Sequence, residues 1–144
     1  MSESKVKFEL VSPERLVLSE EVNMVVVPGS EGDFGVLPGH SPMISSVRPG
    51  VINTYVEGTI TTKIFVVGGF SEVTGDRCTV LAEIALPVDE IDRTLVETEL
   101  KECLEEIDRN NEPSDQKTAK TNAEIARAKL KALLSLIKIS EPTR

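Results

Sequence analysis

The sequence predicts an α+β chain. An N-terminal antiparallel β-sandwich or flattened barrel of about ten short strands fills residues 1–86, and an antiparallel two-helix hairpin fills residues 87–144. Three observations predict this. Apolar residues alternate with a period of two, between frequent turn signals, up to about residue 84. After Pro87 the apolar spacing changes to three and four, the helical period. The charge changes over the same stretch: residues 1–82 carry 10 acids and 6 bases (net −4), residues 83–115 carry 12 and 3 (net −9), and residues 116–144 carry 2 and 7 (net +5).

Each strand has a local reason. Val6, Phe8 and Leu10 alternate with Lys7 and Glu9, the mark of a half-buried strand. Ser12-Pro13-Glu14-Arg15 is a turn, after which Leu16 and Leu18 alternate again. Residues 22–27 are a valine-rich run ended by Pro28-Gly29. Residues 43–47 lead into Arg48-Pro49-Gly50 and a strand over 51–56. Glu57-Gly58 reads as a hairpin turn, with 59–67 as the return strand. Gly68-Gly69 bends the chain before 70–73, and Gly75-Asp76 precedes the last strand, 77–82.

The helices follow. Asp89 is a candidate N-cap, with Asp92 three residues on. Val96, Leu100, Cys103 and Ile107 fall on one face, and Asn110-Asn111-Glu112-Pro113 ends the helix. Ser114 is a candidate cap for the second helix, which runs to about Ile139 before Glu141-Pro142. Ala119, Ala123, Ala126, Leu130, Leu133 and Ile137 line its inner face, and the small alanines let a partner helix approach closely. The acidic first helix and basic second helix predict charge pairing across the hairpin. Such pairs contribute about 0–1 kcal/mol each, so a narrow apolar seam has to hold the element.

Composition excludes several functions. A net charge of −8 argues against phosphate-backbone binding. With no Trp, 1 Tyr and 4 Phe there are few faces for stacked bases. No run approaches the apolar length of a membrane span. No apolar run follows Met1-Ser2-Glu3-Ser4-Lys5, so neither a signal peptide nor a transit peptide is expected. Cys78 and Cys103 read as two unrelated buried thiols in a reducing compartment.

Residues 29–42, GSEGDFGVLPGHSP, gather four glycines, two prolines, two carboxylates and the only histidine. The glycines and prolines hold acidic groups at fixed places beside a small apolar wedge of Phe34-Gly35-Val36-Leu37. The segment lacks the Lys-Ser/Thr of a phosphate loop, and Glu31 and Asp33 would repel a phosphate. His40 has no second histidine and no nearby cysteine, so no metal site is expected. No serine sits in a nucleophile elbow. No catalytic residue is assigned.

Several segments, in order, resemble the epsilon subunit of F-type ATP synthases. Val11-Ser12-Pro13-Glu14 is similar to that family's opening strand and turn, and the whole of residues 29–42 resembles its signature loop. Arg48-Pro49-Gly50, the run from Phe65 through Gly68-Gly69 to Val73, Val80-Leu81-Ala82-Glu83 and the helical hairpin match in turn. The resemblance implies a non-catalytic rotor subunit of a proton-translocating enzyme. Its place is peripheral, at the cytoplasmic face of a bacterial inner membrane. It implies contacts with the gamma subunit, the c-ring, and the alpha and beta subunits. Carried over by position, Glu31, Gly32 and Asp33 belong to the ring-facing tip and His40 to the gamma contact. The mobile hairpin would use Lys117, Lys120, Arg127, Lys129, Lys131 and Lys138 against an acidic part of beta, blocking hydrolysis.

Some members of the family it resembles bind ATP through Ile/Leu-Asp, two residues, then Arg-Ala. Here Ile91-Asp92-Arg93-Thr94 runs into Leu95-Val96, and Leu95 cannot pair with phosphate, so no cofactor is expected. The alternative reading is a free-standing β-sandwich binding module with a helical dimerisation hairpin. Failure to recover gamma or ring components in a pull-down would favour it.

Overall fold

A computed structural model describes residues 5–109 and 112–140, excepting the side chains of 135–140. The expectations for residues 1–4, 110–111 and 141–142, and for the Ile137 and Lys138 side chains, lie outside the described residues. The chain divides into two compact units, residues 1–87 and 88–144.

The first unit holds β1 (Val6–Ser12), β2 (Arg15–Val22), β3 (Met24–Gly29), β4 (Gly32–Val36), β5 (Met43–Ser46), β6 (Gly50–Val56), β7 (Thr59–Val67), β8 (Phe70–Val73), β9 (Arg77–Leu81) and β10 (Ile84–Pro87). They form two five-stranded sheets, ordered β2-β1-β9-β8-β5 and β10-β7-β6-β3-β4. The pairs are antiparallel except β1 with β9, which is parallel in the register Phe8 to Cys78 and Leu10 to Val80. The alternation sends Val6, Phe8, Leu10, Val73, Cys78 and Val80 inward from one sheet, against Val25, Val27, Val36, Ile52, Ile64 and Val66 from the other.

Two polar groups inside are satisfied. The buried Thr54 hydroxyl donates to Glu20 Oε1 at 3.0 Å, and Thr62 Oγ1 donates to the same oxygen at 3.1 Å. A β2 carboxylate thereby ties one sheet to β6 and β7 of the other. Buried Ser71 lies 3.9 Å from Cys78 Sγ.

Glu57-Gly58 forms the expected hairpin turn with φ of 52° and 81°, as a two-residue primed turn requires. Strand β10 was not anticipated: it is a short edge strand, and its Pro87 is tolerated only there. Leu16 points to solvent despite the alternation, beside a register shift between Leu10 and Val11 that re-aims β2.

Burial pushes the Cys78 thiol from 9.0 to about 11. The folded chain therefore keeps this proton where the unfolded chain releases it. The stabilisation is complete below pH 9 and is lost as pH rises to 11, a change of about 3 kcal/mol. Urea unfolding between about pH 8 and 11 should show this extra loss in the parent and not in Cys78→Ala. Equal pH slopes would contradict it. Cys103 is only half-buried, which corrects the expectation of two buried thiols.

The second unit holds a 3-10 turn at Val88–Glu90, α1 (Arg93–Arg109) and α2 (Pro113–Ser140). The cap of α1 is Asp92, not Asp89: its carboxylate accepts from the Leu95 amide at 3.2 Å and its carbonyl from Val96 at 3.0 Å. Asp89 lies in the 3-10 turn, closed by Ile91 N to Val88 O at 3.2 Å. Ser114 is likewise not the α2 cap. Pro113 takes the first helical position, where its missing N–H costs nothing, and the Glu112 carbonyl accepts from Gln116 at 3.0 Å. Gln116 Nε2 also donates to the Ile107 carbonyl at 3.2 Å, tying the start of α2 to the end of α1.

The helices pack antiparallel along Val96, Ala119, Ala123 and Ala126, all buried, with Leu100, Ile107, Leu130 and Leu133 half-buried. Among the described residues no ion pair joins α1 to α2, so the charge pairing read from sequence is not formed among them. The alanine seam brings the backbones together while the charges point outward.

Candidate protein-interaction site

The tip of the β3–β4 hairpin is built from glycine and proline. Pro28 pairs with Asp33 and Gly29 with Gly32, leaving Ser30-Glu31 as a two-residue turn. Gly32 has φ of 136°, which favours glycine. A Cβ on Gly29 would lie 2.9 Å from the Gly32 carbonyl and from the Phe34 ring, so the two strands close only around a glycine.

The two tip carboxylates differ. Glu31 is exposed and joins no ion pair among the described residues. Asp33 accepts from Arg48 Nη2 at 2.5 Å. The structure thus sets Glu31 on the turn and Gly32 at the start of β4, and draws Asp33 into an ion pair within the chain.

His40 closes a turn with its amide on the Leu37 carbonyl at 3.1 Å, and its Nδ1–H donates to the Ser41 carbonyl at 2.7 Å. Gly39 N donates to Gly75 O at 2.7 Å, fastening this turn beside the β8–β9 connection. Among the described residues no group of His, Cys, Asp and Glu could hold a metal ion.

The outer face of the β5-β8-β9 edge carries Ile44, 70% exposed, Phe70, 43% exposed, and Leu81, 39% exposed. Phe70 lies directly opposite Leu81, and Ile44 sits diagonal to it, since Ser46 pairs with Phe70. The sequence reading missed this patch. Its signal was present in Met43-Ile44 and Val80-Leu81: adjacent apolar residues in a strand face opposite ways, so one of each pair must point out.

On α2, Lys117, Lys120, Arg127 and Lys131 fall on one helix face, alongside Glu124. A shallow groove of about 550 Å³ runs beside this stripe, lined by Lys117, Lys120, Thr121, Glu124 and Arg127. Lys129 lies on another face and is half-buried. The degenerate ATP motif is used structurally: Ile91 and Val96 are buried, Asp92 caps the helix and Leu95 is exposed.

Residues 5–88 match the family model for the ATP synthase delta/epsilon chain, beta-sandwich domain. The chain is 49% identical over 129 residues to the ATP synthase epsilon chain of Rhodospirillum rubrum, covering 90% of this chain and 93% of that one. It is 46% identical over 136 residues to the epsilon chain of Rhodospirillum centenum, covering 91% and 93%. Among solved structures, a chain of the Euglena gracilis mitochondrial ATP synthase superposes with a TM-score of 0.82 at 23% identity, covering 93% of this chain and 84% of that one. A chain of the Tetrahymena thermophila mitochondrial enzyme's central stalk and c-ring gives 0.60 at 13%, covering 92% and 98%. At those identities the two structures establish a shared fold alone.

Proposed function

The chain belongs to the delta/epsilon chain family of ATP synthase, as an epsilon chain of the bacterial F-type enzyme, and we propose that its two units divide the work of binding and control. It is a non-catalytic central-stalk subunit linking the catalytic head to the c-ring. On the proposed division, the sandwich grips gamma and the ring, and the hairpin restrains hydrolysis at alpha and beta. No described helix is long and apolar enough to cross a membrane, and on this reading the subunit meets the bilayer only through the complex.

One observation supports the division: the groups able to recognise partners are segregated. An exposed apolar patch of Ile44, Phe70 and Leu81, and the exposed Glu31, belong to the sandwich. The patch suits a stable contact with an apolar face of gamma. The stripe of Lys117, Lys120, Arg127 and Lys131 belongs to α2, in no ion pair among the described residues. Cations without partners suit an acidic segment of beta, where complementary charge gives register and specificity.

The test is ATP hydrolysis by the reconstituted complex. Replacing Lys117, Lys120, Arg127 and Lys131 together with alanine should raise hydrolysis several-fold and flatten its salt dependence. Lys129→Ala, on the other face, should change it little. Unchanged hydrolysis in the fourfold variant, against an inhibited parent, would contradict the electrostatic contact.

A further inference from the structure

The tip of the β3–β4 hairpin is gripped from outside by a residue of another segment. The backbone of residues 46–48 runs antiparallel beside residues 28–30. Ser30 N donates to Ser46 O at 2.9 Å, Arg48 N donates to Pro28 O at 2.9 Å, and Gly29 bridges Val47. From this rail Arg48 reaches both strands of the hairpin: Nη1 donates to the Gly29 carbonyl, and Nη2 donates to Asp33 Oδ1 at 2.5 Å. Only a planar fork with several fixed donors spans a carbonyl on one strand and a carboxylate on the other. The two turn motifs also interlock sterically, since a Cβ on Gly50 would lie 2.9 Å from Pro28 Cβ. Arg-Pro-Gly is thus the counterpart of Pro-Gly at the tip.

We propose that Arg48 is the positioning residue of this tip. It pairs with Asp33 and fixes the turn so that Glu31 is the one unpaired carboxylate of the tip offered to the ring. This rests on the reading that the tip meets the c-ring. Its partner there is a cationic or hydrogen-bond-donating side chain of the ring. Asp33, although exposed in the same motif, is held in an ion pair with Arg48 of the same chain.

Two measurements on the full-length protein separate the parts. In the isolated chain, hydrogen exchange at the Ser30 amide reports tip order. Arg48→Gln should speed it about tenfold by freeing local opening, while core-strand amides stay unchanged. Asp33→Asn should have a smaller effect, and the double variant should exceed Arg48→Gln by little, because both changes break one contact. Arg48→Lys should restore part of the protection, and Glu31→Gln should leave exchange unaltered. In the reconstituted complex, Arg48→Gln and Glu31→Gln should both weaken the subunit's binding as read by ATP-driven ion pumping. Unaltered Ser30 exchange in Arg48→Gln overturns the positioning role. Weakened binding in Asp33→Asn with exchange still slow also overturns it, because Asp33 would then touch the ring itself. Faster exchange in Arg48→Gln with parental binding in Glu31→Gln sinks the ring reading and leaves the positioning role standing.

Discussion

Gly69→Ala is expected to unfold most of the sandwich at temperatures where the parent is folded. Gly69 sits at the bend between β7 and β8 with φ of 90°, a conformation that L side chains rarely adopt. A Cβ there would lie 1.6 Å from the Leu81 carbonyl oxygen, well inside contact distance and against backbone rather than a movable side chain. That backbone belongs to β9, the strand between β1 and β8, so relief would require parting the sheet. The Gly69 carbonyl also accepts from Val47 N at 3.2 Å, so a shift would disturb the segment carrying Arg48. Backbone strain and overlap together should cost at least about 3 kcal/mol. For a domain of this size that lowers the midpoint by roughly 12 °C or more. Gly75→Ala is the control, since a Cβ there meets nothing within 4 Å. Thermal unfolding of the two variants side by side decides the matter, and a Gly69→Ala midpoint within about 3 °C of the parent would show that the bend is not fixed as described.

The fold was largely legible in the sequence because its core is aliphatic and alternates cleanly. Val6, Phe8 and Leu10 leave one choice of inner face, and a slip of one residue would bury Lys7 and Glu9. Periodicity says which face is inside but not which strand lies alongside, so the parallel β1–β9 pair was out of reach. Helix ends were legible only to within a turn. Asp89 and Asp92 are both good caps by residue type, and the 3-10 turn that takes up the first is a tertiary outcome. At α2, Pro113 was itself the better signal, and Ser114 was the distraction.

The candidate site was legible as a motif and not as an arrangement. Glu31 and Asp33 look equivalent in the sequence, and only the approach of Arg48 separates them. Lys129 belongs with its neighbours by composition but not by helical position, which spacing alone could have shown. The apolar patch was hidden because Phe70 and Leu81 are easily counted as core, whereas their strands bury Ser71, Val73 and Val80 instead.

Removal of the hairpin carries the second large effect. Every residue of the sandwich's main apolar cluster, from Val6 to Ala82, lies before Pro87, and the family's sandwich domain ends at residue 88. A chain ending at Pro87 should therefore keep its own core and both proposed rotor surfaces, the Glu31 tip and the Ile44-Phe70-Leu81 patch. It loses the whole basic stripe of α2. If binding and control are divided as proposed, the truncation should separate them. The direct measurement is reconstitution of the complex lacking this subunit with either the full chain or residues 1–87, reading bound subunit and ATP hydrolysis in the same preparation. The account predicts that the truncated chain binds within about threefold of the full chain, a difference below 1 kcal/mol, while hydrolysis rises several-fold. A truncated, folded chain that fails to join the complex, or one that joins it and leaves hydrolysis as restrained as before, would contradict the division of labour.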